Sequence, residues 1–164
     1  TKCGVASIHP FRWNTPTAAP EMHLIRIEIT FDSGHRLLDY EGKCAFPHGH
    51  TYRAEVFMQA PSLDSLGLVF DFTELRGRIK SWIDANWDHA FLVNSRDTKL
   101  IDGLASTSKG RIYQFQNENP SCEVISRELY NKVTELCGVS PVKVRLWESL
   151  DQYAEFYGDG KGRG

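Results

Sequence analysis

Three segments of the chain alternate apolar and polar residues, the pattern of a strand with one buried face. In residues 24–31 this alternation is followed by DSGH, as a turn would follow a strand. Residues 51–58 (TYRAEVFM) and 142–147 (VKVRLW) alternate in the same way. We therefore predict three strands and a short last strand near 153–157, whereas RIYQFQNE at 111–118 fits either a short strand or a loop.

Two other segments have apolar residues three and four positions apart, which is helical spacing. The first follows Asp71, which can form a capping box with Glu74. The second begins where Asn119 or Ser121 can cap a helix, and Gly138 ends it. Strands and helices that are not strictly interleaved predict an α+β fold with a mostly antiparallel sheet.

Composition narrows the class of protein. A chain of 164 residues is the size of one domain, so we predict an N-terminal arm, residues 1–22, and a single domain, 23–164. The net charge of −2 lacks the basic field that nucleic-acid binding needs. No apolar run is long enough to span a bilayer or serve as a secretory signal, so we expect a soluble, cytoplasmic protein. The spread-out cysteines are expected to be free thiols.

Three histidines fall within sixteen positions. His48 and His50 flank Gly49 just before a strand, and alternate residues of an extended chain point to the same side. If the strands pair as a hairpin, the link from Arg36 to Pro47 returns this HGH sequence to His35. Three neutral nitrogens with an open fourth position are typical of catalytic zinc, although spacing alone fits surface or capping histidines equally well.

Cys44 lies in the same link and has two interpretations. Near a cation its thiolate is favoured and can take a proton. As a fourth ligand it would instead close a structural zinc site, and it could also be an inert thiol. Asp88 and His89 are adjacent after the first helix and fit a proton relay or a solvated helix end. Glu148 follows a strand and could accept paired hydrogen bonds from an aminopyrimidine, or be solvated.

Six ordered motifs between about His23 and Tyr157 make the chain resemble the 6-pyruvoyl-tetrahydropterin synthase family, which includes the 6-carboxytetrahydropterin synthases of queuosine biosynthesis. They are FDSGHRL, CAFPHGHTYRAEV, GLVFDFTEL, WDHAFLVN, NPSCEV and RLWESLDQYAEF. The short spacing between Cys44 and HGH and the WES…AEF ending resemble the queuosine branch.

The resemblance assigns a role to each candidate residue. It implies that His35, His48 and His50 bind Zn²⁺ and that Cys44 is the catalytic base. Asp88 and His89 match the relay that assists this base. Glu148 matches the pterin anchor, and Glu123 matches a second acid near the pocket, although its position at a helix N-terminus also explains a charge there. Lys43, Arg36 and Arg53 are expected to contact a triphosphate.

The resemblance also implies a fold, an assembly and a reaction. The expected fold is a T-fold unit, a four-stranded antiparallel sheet with two helices on one face, which assembles into an oligomeric β-barrel. The expected assembly is a homohexamer with sites at subunit contacts. The expected reaction converts 7,8-dihydroneopterin triphosphate to 6-carboxy-5,6,7,8-tetrahydropterin with loss of triphosphate and acetaldehyde. The alternatives are a pyruvoyl synthase, which retains the three-carbon side chain, and a non-catalytic zinc-stabilised binding module.

Overall fold

A computed structural model describes residues 21–107 and 110–158. Its elements, in chain order, are β1 (His23–His35), a 3-10 helix (Lys43–Ala45), β2 (His48–Ala60), α1 (Phe72–Asn86), β3 (Ala90–Asn94), α2 (Thr98–Thr107), β4 (Arg111–Phe115), α3 (Cys122–Cys137), β5 (Lys143–Trp147) and β6 (Tyr153–Tyr157). Most of the predicted arm, residues 1–22, lies outside the described residues, so its boundary stays a prediction.

The long hairpin formed by β1 and β2 is the centre of the fold. Both strands have 13 residues and pair antiparallel from His23 opposite Ala60 to His35 opposite His48. The odd-numbered β1 residues from Ile27 onward are buried, as the alternation predicted. The register therefore fixes which side chains of both strands face the core.

The sheet has six strands in the order β4-β3-β1-β2-β5-β6. The four predicted strands, β1, β2, β5 and β6, form an antiparallel block, as expected. The prediction of only four strands is wrong, because β3 and β4 extend the sheet by parallel pairing beyond β1. Helix α2 connects these two strands, as parallel neighbours require a crossover.

The two predicted helices pack on one face of the sheet. Asp71 accepts a hydrogen bond from the Glu74 N–H at the start of α1, and Ser121 accepts one from Val124 at the start of α3. Gly138 ends α3 with a φ of 70°, the left-handed conformation that suits glycine. The fully buried residues of these helices that meet the sheet are Leu75, Ile79, Ile83, Ile125, Leu129 and Val133. Helix α2 is a third helix that the prediction lacked, and it buries no residue.

The opposite face of the sheet carries paired charges instead of a second apolar layer. Glu55 on β2 is only 4% exposed, and it accepts hydrogen bonds from Arg26 and from the Trp147 indole. Although burial alone would raise the pKa of Glu55, these two hydrogen bonds keep it below its ordinary value. None of the described helices is both long and apolar enough to cross a membrane.

Candidate active site

The hairpin register brings the three predicted zinc histidines together. His35 lies opposite His48, Ser33 lies opposite His50, and residues directly opposite each other share a face of the sheet. The Nε2 atoms of His35 and His48 are 3.1 Å apart. One ligand atom from each of the three histidines lies within 4.8 Å of the others, a spacing that one metal ion could bridge.

The hydrogen bonds of the rings orient them for a metal. His35 Nδ1 is 2.8 Å from the Pro120 carbonyl oxygen, and His48 Nδ1 is 2.8 Å from that of Phe46. Because a carbonyl oxygen only accepts, each Nδ1 donates its proton, and in the neutral ring this leaves the lone pair of Nε2 for a metal. This arrangement of ligand and carbonyl partner is common around metal-binding histidines.

Burial also favours the metal-binding protonation state. It lowers the pKa of His35, against the opposing hydrogen bond to Pro120, and it lowers the pKa of His50, against the opposing charge of Glu148. His50 Nε2 is buried and has no hydrogen-bond partner among the described residues. Three histidine nitrogens that lie close together, one of them without a hydrogen-bond partner among the described residues, form a donor set that Zn²⁺ binds. These residues therefore fit the metal.

Glu148 lies next to this histidine group, directly after β5. Its Oε1 is 3.5 Å from His35 Nε2 and 3.8 Å from His50 Nε2, and its side chain is a quarter exposed. The carboxylate therefore lies beside the histidine group and is also partly open to solvent.

A pocket of about 250 Å³ beside the histidines collects four of the predicted residues. We call it the Cys44 pocket, and it is lined by His35, Cys44, Glu123 and Glu148, together with Cys122 and Tyr153. The four predicted residues come from four separate places: the end of β1, the 3-10 helix, the start of α3 and the end of β5. A thiol and two carboxylates thus line one small pocket beside three histidines.

Asp88 and His89 form a hydrogen-bonded pair elsewhere. His89 Nδ1 donates to Asp88 Oδ2 at 2.9 Å, while Asp88 Oδ1 accepts from the Asp32 N–H at 3.0 Å. Burial alone would raise the pKa of Asp88, but these hydrogen bonds hold it below its ordinary value. His89 has a φ of 56°, rare for a residue with a Cβ, and its side chain is 74% exposed. Its Nε2 is therefore open to a partner from outside the chain.

His89 and Cys44 line different cavities. His89 lines a groove of about 510 Å³ with Asp32, Ser33 and His50, which we call the His89 groove. This groove borders the histidine group through His50, but Cys44 does not line it. A single chain therefore does not bring His89 and Cys44 together in one cavity.

The predicted triphosphate residues are also dispersed. Arg36 donates two hydrogen bonds of 2.5 Å to the buried Asp97, so its guanidinium is already engaged. The guanidinium of Arg53 stacks 4.4 Å from the centre of the Trp147 ring on the charged face. Lys43 is exposed on the 3-10 helix next to Cys44. None of the three lines the Cys44 pocket, although Arg36 and Lys43 are each adjacent in the chain to residues that do.

Sequence reasoning missed three contributors to the site. Cys122 lines the Cys44 pocket and donates to the Leu146 carbonyl at 3.0 Å, and burial raises the pKa of its thiol to about 12. Its position before Glu123 in NPSCEV was the available signal. The Pro120 carbonyl is a backbone group, which no side-chain pattern reveals. Tyr52 is fully buried beside the His50 ring, and its hydroxyl has no hydrogen-bond partner among the described residues.

An α+β sheet with three converging histidines, a thiol and two carboxylates at one pocket defines a candidate metal-dependent enzyme for a small molecule. Residues 24–159 match the 6-pyruvoyl tetrahydropterin synthase family. The chain belongs to this family of enzymes, as the six motifs predicted.

Two curated relatives illustrate the similarity. A 6-carboxy-5,6,7,8-tetrahydropterin synthase of Rickettsia conorii is 34% identical over 131 residues, which cover 77% of this chain and 94% of the relative. A protein of the same name from Haemophilus influenzae is 30% identical over 144 residues, covering 82% of this chain and 99% of the relative. The matched region therefore spans nearly the whole of both relatives.

Solved structures confirm the fold. An uncharacterized protein from Wolinella succinogenes superposes with a TM-score of 0.71 at 22% identity, covering 85% of this chain and 99% of that one. The 6-pyruvoyl tetrahydropterin synthase of Caenorhabditis elegans superposes with a TM-score of 0.64 at 18% identity, covering 84% and 96%. The expected T-fold unit is thus confirmed.

Proposed function

We propose that the protein is a zinc-dependent lyase that converts 7,8-dihydroneopterin triphosphate to 6-carboxy-5,6,7,8-tetrahydropterin, with loss of triphosphate and acetaldehyde. The observation that carries this proposal is the Cys44 pocket, where a thiol and two carboxylates adjoin the three histidines. The relatives that bear the name of this reaction, matched along nearly their full length, support the choice of substrate. A role in queuosine biosynthesis and a cytoplasmic location are parts of the same proposal.

In this proposal the chain supplies binding and proton transfer. His35, His48 and His50 would hold Zn²⁺, which as a Lewis acid makes a carbon-bound proton of the substrate side chain more acidic. Cys44 accepts that proton at Sγ. Glu148 accepts two hydrogen bonds from the N–H edge of the aminopyrimidine ring, which holds the side chain of the substrate over Cys44. Glu123 lies on the same pocket wall and supplies a second acid.

The relay to Cys44 requires a second copy of the chain. His89 lines a groove that does not include Cys44, and its side chain is 74% exposed. We propose that His89 of one subunit assists Cys44 of another in a homohexamer with sites at subunit contacts. Neither of the two edge strands, β4 and β6, has a second neighbour in the described sheet, which favours pairing with another copy.

Mixing two inactive variants tests this relay. Cys44→Ala and His89→Ala each abolish turnover in the proposal. When the two are unfolded together and reassembled, about a quarter of the sites regain both intact residues, because each site draws on two chains. Recovery of activity on mixing is expected, whereas a mixture as inactive as its parts would show that both residues act within one chain.

Product analysis tests the reaction itself. The zinc-loaded protein is incubated with dihydroneopterin triphosphate, and acetaldehyde and the pterin product are measured by chromatography. Acetaldehyde with a carboxylated pterin supports the proposal. A pterin that retains three side-chain carbons, without acetaldehyde, would instead show the pyruvoyl synthase reaction.

Substitutions separate an enzyme from a zinc-stabilised binding module. Cys44→Ala should keep zinc and lose turnover, while Cys137→Ala, which removes another half-buried thiol, should keep both. Loss of zinc from Cys44→Ala would identify Cys44 as a ligand of a closed structural site. Glu148→Ala should raise KM steeply at unchanged zinc content, and Glu135→Ala, an exposed control, should leave KM unchanged.

A further inference from the structure

The short segment from Asn119 to Ser121 holds three parts of the site at once. The Asn119 side chain accepts from the Leu38 N–H at 2.9 Å and donates to the Leu38 carbonyl at 2.8 Å. The Pro120 carbonyl accepts from His35 Nδ1 at 2.8 Å. Ser121 caps α3, the helix whose first turn lines the Cys44 pocket. A metal ligand and the loop that carries Cys44 are thus attached to neighbouring residues.

The loop between β1 and β2, residues 36–47, has little else to hold its middle. Residues 39–43 are all exposed, so packing contributes weakly there. The Leu37 N–H donates to the Cys44 carbonyl at 2.8 Å, which closes the loop on itself. Leu38 is next to Leu37 in the chain, so its two hydrogen bonds with Asn119 attach the closed loop to the body of the protein at that point.

The backbone turns sharply directly after the attached residue. Asp39 has a φ of 59°, a left-handed conformation that aspartate adopts more readily than most residues with a Cβ. The paired hydrogen bonds at Leu38 fix both backbone polar groups of the residue that precedes this turn.

The amide of Asn119 is itself held in one orientation. Its Oδ1 also accepts from Asn94 Nδ2 at 3.2 Å, and Asn94 is only 2% exposed. The oxygen therefore faces Leu38 N–H and Asn94, while the nitrogen faces the Leu38 carbonyl. This use of both ends of the amide explains the residue type, because aspartate has the same shape but no donor.

We infer that Asn119 is a positioning residue that fixes Cys44 relative to the metal centre. The inference rests on the proposed function, in which Cys44 must lie within hydrogen-bond reach of the proton that it removes. A displacement of about 1 Å at a reacting group can lower the rate about a hundredfold. Asn119 sets this distance because its side chain holds the loop that carries Cys44, while the carbonyl of the next residue, Pro120, accepts the hydrogen bond from His35.

The test compares zinc-loaded Asn119→Ala and Asn119→Asp with the unchanged full-length chain. We expect kcat to fall about tenfold to a hundredfold while KM changes little, because Asn119 orients the base without binding substrate. Zinc content should not change. Iodoacetamide labelling, followed by peptide mass spectrometry, should show faster alkylation of Cys44 in both variants and an unchanged rate at Cys137.

Asn94→Ala is the matched control, since it removes a buried amide that contacts Asn119 at 3.2 Å, while the two shorter hydrogen bonds between Asn119 and Leu38 do not involve Asn94. It should lower the melting temperature without changing alkylation of Cys44. Equal alkylation of Cys44 in the Asn119 variants, the control and the unchanged chain would overturn the inference. Labelling and zinc content need no substrate, so they decide the role of Asn119 even if dihydroneopterin triphosphate is not turned over. If Asn119→Ala does not fold, the isosteric aspartate variant provides the result.

Discussion

The ion pair between Arg36 and Asp97 allows a quantitative prediction. Asp97 is 3% exposed and accepts both hydrogen bonds of the Arg36 guanidinium, whose side chain is 24% exposed. The Leu100 N–H also donates to Asp97 at 3.2 Å at the start of α2. Asp97 therefore attaches the end of β1, next to His35, to the β3–α2 connection.

Asp97→Asn removes the negative charge that pairs with Arg36 but keeps the cap of α2, because the amide oxygen of asparagine can still accept from the Leu100 N–H. Removing one partner of a buried pair costs about 3–5 kcal/mol, and water recovers part of this for a partly exposed arginine. We expect Asp97→Asn to lower the free energy of unfolding by about 2–3 kcal/mol on that basis. Asp97→Ala also loses the cap, which adds about 1 kcal/mol.

The effect should depend on pH in a defined direction. Hydrogen bonds from Arg36 hold the pKa of Asp97 in the folded protein below its ordinary value. The stabilisation is therefore complete above the unfolded pKa of about 3.9 and is lost as the pH falls through the folded pKa. The difference between the unchanged protein and Asp97→Asn should accordingly narrow in acid.

Urea unfolding followed by circular dichroism measures these differences, at one protein concentration because assembly affects apparent stability. Asp84→Asn is the control, since its pair with Lys80 is exposed and should contribute less than about 1 kcal/mol. A change below about 0.5 kcal/mol for Asp97→Asn, within the range of ordinary surface substitutions, would refute the reasoning.

Three further predictions concern the site. Ser121→Ala should lower the free energy of unfolding by about 1 kcal/mol through loss of the α3 cap, and an unchanged urea midpoint would contradict this. Tyr52→Phe should raise the stability of the metal-free protein by about 1 kcal/mol by removing a buried hydroxyl with no described partner; a loss in calorimetry would reveal a bound water. Because burial lowers the pKa of His35 and His50, chelator competition should show zinc affinity declining less steeply between about pH 7 and pH 6 than the protonation of three ordinary histidines would cause, and a decline as steep as that would oppose this.

Sequence periodicity predicted the parts of the fold that have one buried and one open face. The alternation in β1 and β2 and the capped amphipathic pattern of α1 and α3 were confirmed. Strand β3 was missed because its Ala90–Asn94 sequence, AFLVN, is almost wholly buried and does not alternate. Helix α2 was missed although Leu100, Ile101 and Leu104 have helical spacing, because this pattern extends over a segment of only 10 residues.

The candidate site was predictable where it depends on local geometry. Two histidines two residues apart on a strand must share a face, and a hairpin returns them to His35. The separation of Cys44 from His89 depends on where the two loops that carry these residues lie in the fold, and the sequence carries no signal for this. The engagement of Arg36 by Asp97 was equally hidden, since the two residues are 61 positions apart.

The register of the hairpin couples the metal site to residues far from it. A slip of one residue would turn every side chain of a strand to the other face, exposing Ile27, Ile29 and Phe31 and moving a histidine away from its two partners. The same apolar burial that selects the correct register therefore assembles the ligand set. Zinc would then meet a site already formed by folding, and substitutions that preserve the core of the hairpin would preserve the ligand geometry with it.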